Sequence, residues 1–421
     1  MRRRRVNADL RRGRPEFPAR REAVAMDTGT MLATLGMLLL CGLALEWLGR
    51  NILVPRVTML IVFGFLVGPE SLDLLPGRVD AWFEPVTRVA LVMIGFLLGE
   101  RLSRRRLRGH GRSVLGLSAV AAAGTSAVTG AGLLALGVDL PLALLLAAIA
   151  AATAPAATYD VVEEARADGP FTDTLLGIVG IDDAWGLLLF SLALALAVGL
   201  GSDAGASGAG VLLAAGREIG GALGLGVALG LPAALLTHRI AAGEPTLVEA
   251  LGIVFLTAGL ATVLEVSFIL AAMVLGAVMV NVGRERARAF HEIEHLEWPF
   301  MVLFFILAGA AMQPAVLLTV GWLGAAYIAL RIAGKLASAA VGGWLLADTP
   351  VVRRWLGIAL LPQAGVALGM ALVARERFPA TGDLLLSLVI AATVVFEIFG
   401  PFCTRLALKR SGECGRAPGE P

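Results

Sequence analysis

Polar positions are too sparse along most of this chain to mark one face of a helix. Leu, Ala, Val, Ile and Gly run on for about 20 residues at a time, between short clusters of arginine, proline or glycine. A helix of about 20 apolar residues spans the hydrocarbon core of a bilayer. Barrel strands would instead alternate over segments of about 10 residues, and the continuous runs do not. Cutting at the breaks predicts about 13 helices, at 29–48, 53–68, 86–100, 113–137, 141–162, 174–200, 208–237, 246–264, 267–282, 298–312, 316–346, 353–374 and 383–408. The pattern is that of an all-α polytopic membrane protein, embedded in a lipid bilayer.

Composition strengthens this reading. Hydrophobic residues make up 57% of the chain and charged residues 16%, against about 25% charged in soluble domains. The mean hydropathy is +0.82. Cys41, Cys403 and Cys414 are scattered without C-x-x-C spacing, so neither a disulfide framework nor a zinc site is indicated. Of 35 basic residues only Lys335 and Lys409 are lysines.

Charge placement gives orientation, because cytoplasmic loops carry an excess of Lys and Arg. Alternate loops sort cleanly. One side collects Arg50 and Arg56, the cluster from Arg101 to Arg112, Arg166, Arg239, Arg284 to Arg288, Arg353 and Arg354, and the end from Arg405 to Arg416. The other side holds only Arg78, Arg88, Arg217, Arg375 and Arg377. The expected topology therefore has the carboxyl end in the cytoplasm and the amino end outside, in the cell membrane. The stretch 1–25 carries nine arginines and opposes this vote. Met26 as the true start resolves the conflict; a genuine basic tail would reverse the topology. The tail after residue 409 is short and polar.

Ionisable groups within apolar runs are costly, about 2.5–3.5 kcal/mol each on insertion scales, and mark function by default. Asp182 and Asp183 sit in LLGIVGIDDAWGLLLF, about ten residues into the sixth span. Two carboxylates that close repel in low dielectric, so the pair can hold a proton or a metal cation. The plainer alternative is a pair satisfied by hydroxyls or arginine. The fifth span is interrupted at Pro155, flanked by Thr153 and Thr158, and the twelfth at Pro362, Gln363 and Gly365. Six spans, a linking span and six more would place these breaks at matching positions of two inverted repeats, the best sequence pointer to a transporter site. In the eleventh span Arg331 and Lys335 share a helix face, and Glu397 in the thirteenth offers a carboxylate to one of them. Glu265 reads as solvated. Asp160, Glu163 and Glu164 form either an acidic vestibule or a plain helix end. His291 and His295, with Glu292 and Glu294, read as a surface helix.

In order, TAP at 153–155, GIDDAWG at 180–186, RIAGK at 331–335, LLPQAGVALG at 360–369 and TVVFEIFGP at 393–401 resemble the monovalent cation:proton antiporter superfamily. These are the sodium/proton exchangers and their potassium relatives. The resemblance covers Met26 to the end. It implies two inverted six-helix repeats with crossed discontinuous helices, and a homodimer. Helices at 113–200 and 316–408 would form a moving core, with those at 29–102 and 246–312 as scaffold and 208–240 as link. The basic stretch 1–28 and the tail 409–421 would flank this body. It implies exchange of Na⁺, K⁺ or Li⁺ for protons in pH homeostasis, with no cofactor, nucleic acid or enzymatic step. Asp183 would be the cation and proton ligand, with Thr153 and unwound carbonyls beside it. Asp182 would pair with Lys335, or with Arg331, which some relatives use. Ala154 departs from sodium-selective relatives that carry an oxygen ligand between the Thr and Pro. A cation-coupled organic-anion symporter, a cation channel and an intramembrane aspartyl protease remain as alternatives, the last disfavoured because its two acids should come from separate helices.

Overall fold

The computed structural model describes residues 28–52, 55–75, 79–104, 111–201, 208–236, 246–283, 288–346, 349–363 and 365–415. The basic stretch at 1–27 lies outside them. So do the loop cations Arg78, Arg105, Arg106, Arg108, Arg239, Arg284, Arg286 and Arg416. Among the described residues every regular element is a helix. In order they are α1 (Thr28–Ile52), α2 (Arg56–Val67), α3 (Val79–Arg101), α4 (Gly111–Ala135), α5 (Leu140–Ala151), α6 (Pro155–Glu164), α7 (Pro170–Gly201) and α8 (Gly208–Leu236). Then follow α9 (Thr246–Val263), α10 (Phe268–Val282), α11 (Arg288–Ala310), α12 (Pro314–Leu346), α13 (Pro350–Ala359), α14 (Gly365–Arg377) and α15 (Pro379–Ser411).

Among the described residues, eight segments are long and apolar enough to cross a membrane: α1, α4, α5 with α6, α7, α8, α11, α12 and α15. The apolar helices at Arg56–Val67, Leu247–Val263 and Phe268–Val282 are shorter. Two expected spans start well before the point that the hydropathy pattern suggests. α3 begins at Val79 rather than 86, and α11 at Arg288 rather than 298. Helical hydrogen bonding continues past the point where charged side chains end the apolar run.

Both expected interruptions are present. The fifth span stops at Ala151, runs extended through Ala152 (ψ 143°) and Ala154 (ψ 93°), and resumes with Pro155 at the first turn of α6. Proline there loses no helical donor, and its fixed φ suits a helix start. The twelfth span stops at Ala359 and resumes at Gly365 as α14.

Small residues set how the helices meet. With lipid on the outside, apolar burial does not drive helices together, and close backbone approach does. A Cβ on Gly64 of α2 would overlap the Ile306 carbonyl of α11, and one on Gly309 of α11 the Ile61 carbonyl. Gly99 and Gly276 lock α3 to α10 in the same way. Likewise α4 and α12 pack closely, with Gly124 against Ser338, Gly334 against Thr125, and a buried Thr125–Ser338 hydroxyl contact of 3.2 Å. Packing is thus densest within two sets: α2, α3, α8, α10 and α11 in one, and α4, α5, α7 and α12 to α15 in the other.

The carboxyl end folds back onto the second set. α15 ends with Gly412 in a left-handed conformation at φ 79°. The Glu413 carboxylate then accepts from the Phe171 and Thr172 amides at 2.9 and 2.8 Å, and from the Thr172 hydroxyl at 2.8 Å. It caps the positive end of α7, the helix that carries the acidic pair.

Candidate functional site

The two interruptions lie against each other, and the end of α5 presents four carbonyls, of which Ile149 also accepts the Ala152 amide at 3.3 Å. Each is met by a side chain from elsewhere. Gln363 Nε2 donates to the Ile149 carbonyl at 3.1 Å. Arg331 donates to Ala150 at 3.1 Å and to Ala152 at 2.8 Å, while Lys335 Nζ donates to Ala151 at 2.7 Å. A third Arg331 nitrogen reaches the Leu361 carbonyl beyond α13 at 2.8 Å. The guanidinium therefore ties both breaks together and sets positive charge at the negative ends of both half-helices. A planar fork with donors in fixed directions does this where an ammonium would not. The Phe396 ring covers it, 4.1 Å from the guanidinium carbon.

The two cations thus have different duties. Lys335 Nζ stands 3.0 Å from Asp182 Oδ2, with both side chains fully buried, and Arg331 is committed to backbone. Glu397 serves neither of them, against the sequence expectation. It is buried at 4% exposure and accepts from the Thr58 hydroxyl of α2 at 3.2 Å. Its turn of α15 faces α2, while Arg331 donates to three carbonyls.

Asp183 is 2% exposed and lines a cavity of about 960 Å³. The break residues Ala154 and Pro155 and the α14 start, Gly365 and Val366, line it too. Two helix N-termini therefore border the cavity beside the carboxylate. The Thr153 amide is directed at Asp183. Three buried oxygens here have no hydrogen-bond partner among the described residues: Asp182 Oδ1, Asp183 Oδ1 and Thr153 Oγ1. Unpaired oxygens are costly at such depth, and hard monovalent cations or protons are the species that oxygen ligands of this kind hold. Thr158 takes no part in this set, because its hydroxyl donates to the Ala154 carbonyl at 3.1 Å and closes the first turn of α6. Gly365 has a steric reason to be glycine, since a Cβ there would stand 2.8 Å from the Phe305 ring.

The charged residues on the cavity wall are Glu100 and Arg101 of α3, with His291, Glu294 and Glu297 of α11. In the sequence Arg101 reads as a loop cation and His291 and Glu294 as part of a surface helix, while Glu100 and Glu297 do not stand out. The sole sequence signal was their clustering in HEIEHLE and at the end of a short span. Of the two readings of Asp160, Glu163 and Glu164, the exposed helix end is the one observed, with Glu164 paired to Arg405 at 3.2 Å. His291 and His295 face one another at 3.1 Å between their Nε2 atoms, and Glu265 is exposed. On the face away from the cavity, Arg88 of α3 bonds Glu376 of α14 and Thr262 of α9, each at 3.1 Å.

Comparison with known proteins gives a consistent picture. Residues 35–410 match a family model described as "Sodium/hydrogen exchanger, transmembrane". The chain is 25% identical over 360 residues to the ammonium/H⁺ antiporter subunit AmhT of Alkalihalophilus pseudofirmus, covering 82% of this chain and 84% of that protein. Its fold is similar to the sodium proton antiporter MjNhaP1 of Methanocaldococcus jannaschii at pH 8, with a TM-score of 0.74 and 19% identity, covering 92% of this chain and 100% of that one. A second structure of MjNhaP1, an electron-microscopy map, matches with a TM-score of 0.68 and 18% identity over 93% of this chain and 100% of the other.

Proposed function

The chain belongs to the sodium/hydrogen exchanger family, and on that premise we propose that it exchanges Na⁺ or K⁺ for protons by alternating access, with Asp183 as the shared ligand. The observation that carries this is one carboxylate, buried at a helix break, that also lines a cavity wide enough for hydrated ions. A cation and a proton compete for the same oxygens, so the two flows couple without a separate gate. Asp182 and the Thr153 hydroxyl complete the ligand set. Lys335 is the counter-charge to Asp182, and its proton leaves when a cation arrives. Two protons then return per cation, and exchange moves charge.

The cavity reaches the side on which Arg101 and the α11 start lie, which the arginine count assigns to the cytoplasm. Arg88, Glu376 and Thr262 bridge the opposite side. The arrangement supports an inward-open form in the cell membrane, with the amino end outside and the carboxyl end in the cytoplasm. The core of α4–α7 and α12–α15 then moves against the scaffold of α1–α3 and α9–α11, with α8 as link, in a homodimer formed through the scaffold.

Ammonium is a second candidate cargo, because the AmhT relative carries that name and Ala154 contributes no side-chain oxygen that would favour the smaller Na⁺. The test is proton flux in liposomes under imposed Na⁺, K⁺, Li⁺ and NH₄⁺ gradients. Asp183→Asn abolishes exchange for every cation on this reading, and full exchange by that variant refutes it. Organic-anion uptake without proton exchange would favour a symporter. Exchange indifferent to membrane potential would remove only the Lys335 step.

A further inference from the structure

Glu397 is a buried acid that the transport cycle above does not use. It sits on α15, on the core side, while its partner Thr58 sits on α2, which is locked onto α11 through Gly64 and Gly309. Their hydrogen bond therefore joins the two parts that have to slide past each other. Among the described residues, no basic group is paired with it. Arg331 on α12 is held by three carbonyls, and Arg56, two residues before Thr58, pairs with Glu46 at 3.1 Å. On α7 the acids Asp182 and Asp183 belong to the cation site, on α13 Arg353 donates to the Gly343 carbonyl, and on α14 Arg375 pairs with Asp383. On α6, Glu164 pairs with Arg405 at the surface.

A carboxylate charge without a cation is strongly disfavoured in a low-dielectric interior, whereas the neutral acid fits there. The 960 Å³ cavity comes close, because Val57, next to Thr58, lines it.

We propose that Glu397 is a second proton-binding group, separate from Asp182 and Asp183, whose proton closes the α2–α15 contact and whose loss frees the core to slide. The inference rests on the antiport reading. Proton release goes to cavity water, and the resulting charge is stable only once α15 has moved away from Thr58. Exchange then switches on as pH rises, through a group that never touches the transported cation.

The experiment is the pH profile of cation-driven proton flux in liposomes for the wild type, Thr58→Val and Glu397→Gln, with Asp183→Asn beside them. Thr58→Val weakens the closed contact, so half-maximal exchange moves about one pH unit toward acid. Glu397→Gln keeps a neutral group in place, so the rise in rate with pH shrinks severalfold while exchange persists. An unshifted midpoint in Thr58→Val overturns the proposal, even where Glu397→Gln fails to fold. So does an unchanged profile in Glu397→Gln. Failure of the antiport reading looks different: the wild type then shows no proton flux with any cation, and both conclusions fall.

Discussion

Replacing Lys335 by Met is the sharpest test of how the site is held. The ammonium lies 3.0 Å from Asp182 Oδ2 and 2.7 Å from the Ala151 carbonyl, with both side chains fully buried. At an effective dielectric near 20, unit charges 3.0 Å apart attract by roughly 5.5 kcal/mol. Desolvating both groups offsets most of that attraction, so the intact pair contributes little net stability. Removing one partner is a different matter, because the other stays buried with nothing to balance it. That costs about 3–5 kcal/mol, plus the unmet Ala151 carbonyl. The assay is thermal unfolding of purified protein in detergent, read by size exclusion after heating. Lys335→Met should lower the midpoint by several degrees, and adding Asp182→Asn should recover most of the loss, since the double variant buries no lone charge. Arg405→Ala is the control, because that pair is about 60% exposed on each side and such pairs contribute about 0–1 kcal/mol. A Lys335→Met midpoint no lower than that of Arg405→Ala would refute the reasoning. So would a double variant less stable than the single one.

Arg331→Lys should be poorly tolerated despite keeping the charge. One ammonium cannot serve the Ala150, Ala152 and Leu361 carbonyls together, and each lost charged bond costs about 1.5–3 kcal/mol; yield of monodisperse protein measures it. Glu413→Gln should cost about 1–2 kcal/mol by weakening the cap on α7, seen as a lower unfolding midpoint with cation selectivity unchanged.

Much of the site was legible in the sequence because it is written in local backbone chemistry. Pro155 and Pro362 each disfavour a continuous helix at their own position. Pro85, Pro232, Pro299 and Pro401 nevertheless sit inside unbroken helices, so it was the matching places of the two breaks that pointed to the site. Asp182 and Asp183 stand out because their own span offers no partner. Arg331 and Lys335 share a helix face, so spacing could not divide their duties. The division depends on where the carbonyls of α5 end, about 180 positions earlier. Glu397 was assigned to a cation for want of any view of α2. Among the wall acids, Glu294 read as part of a surface helix and Glu100 and Glu297 did not stand out, since nothing local places α3 and α11 around one cavity.

By itself, then, the sequence determined the membrane class, the two interrupted helices and the acidic pair. Each follows from residues acting within about one helical turn or one bilayer thickness. Only the tertiary structure decided that Arg331 ties the breaks, that Lys335 faces Asp182 and that Glu397 meets Thr58. Those pairings join helices distant along the chain, and close glycine contacts such as Gly64 on Ile306 set the distances at which they meet.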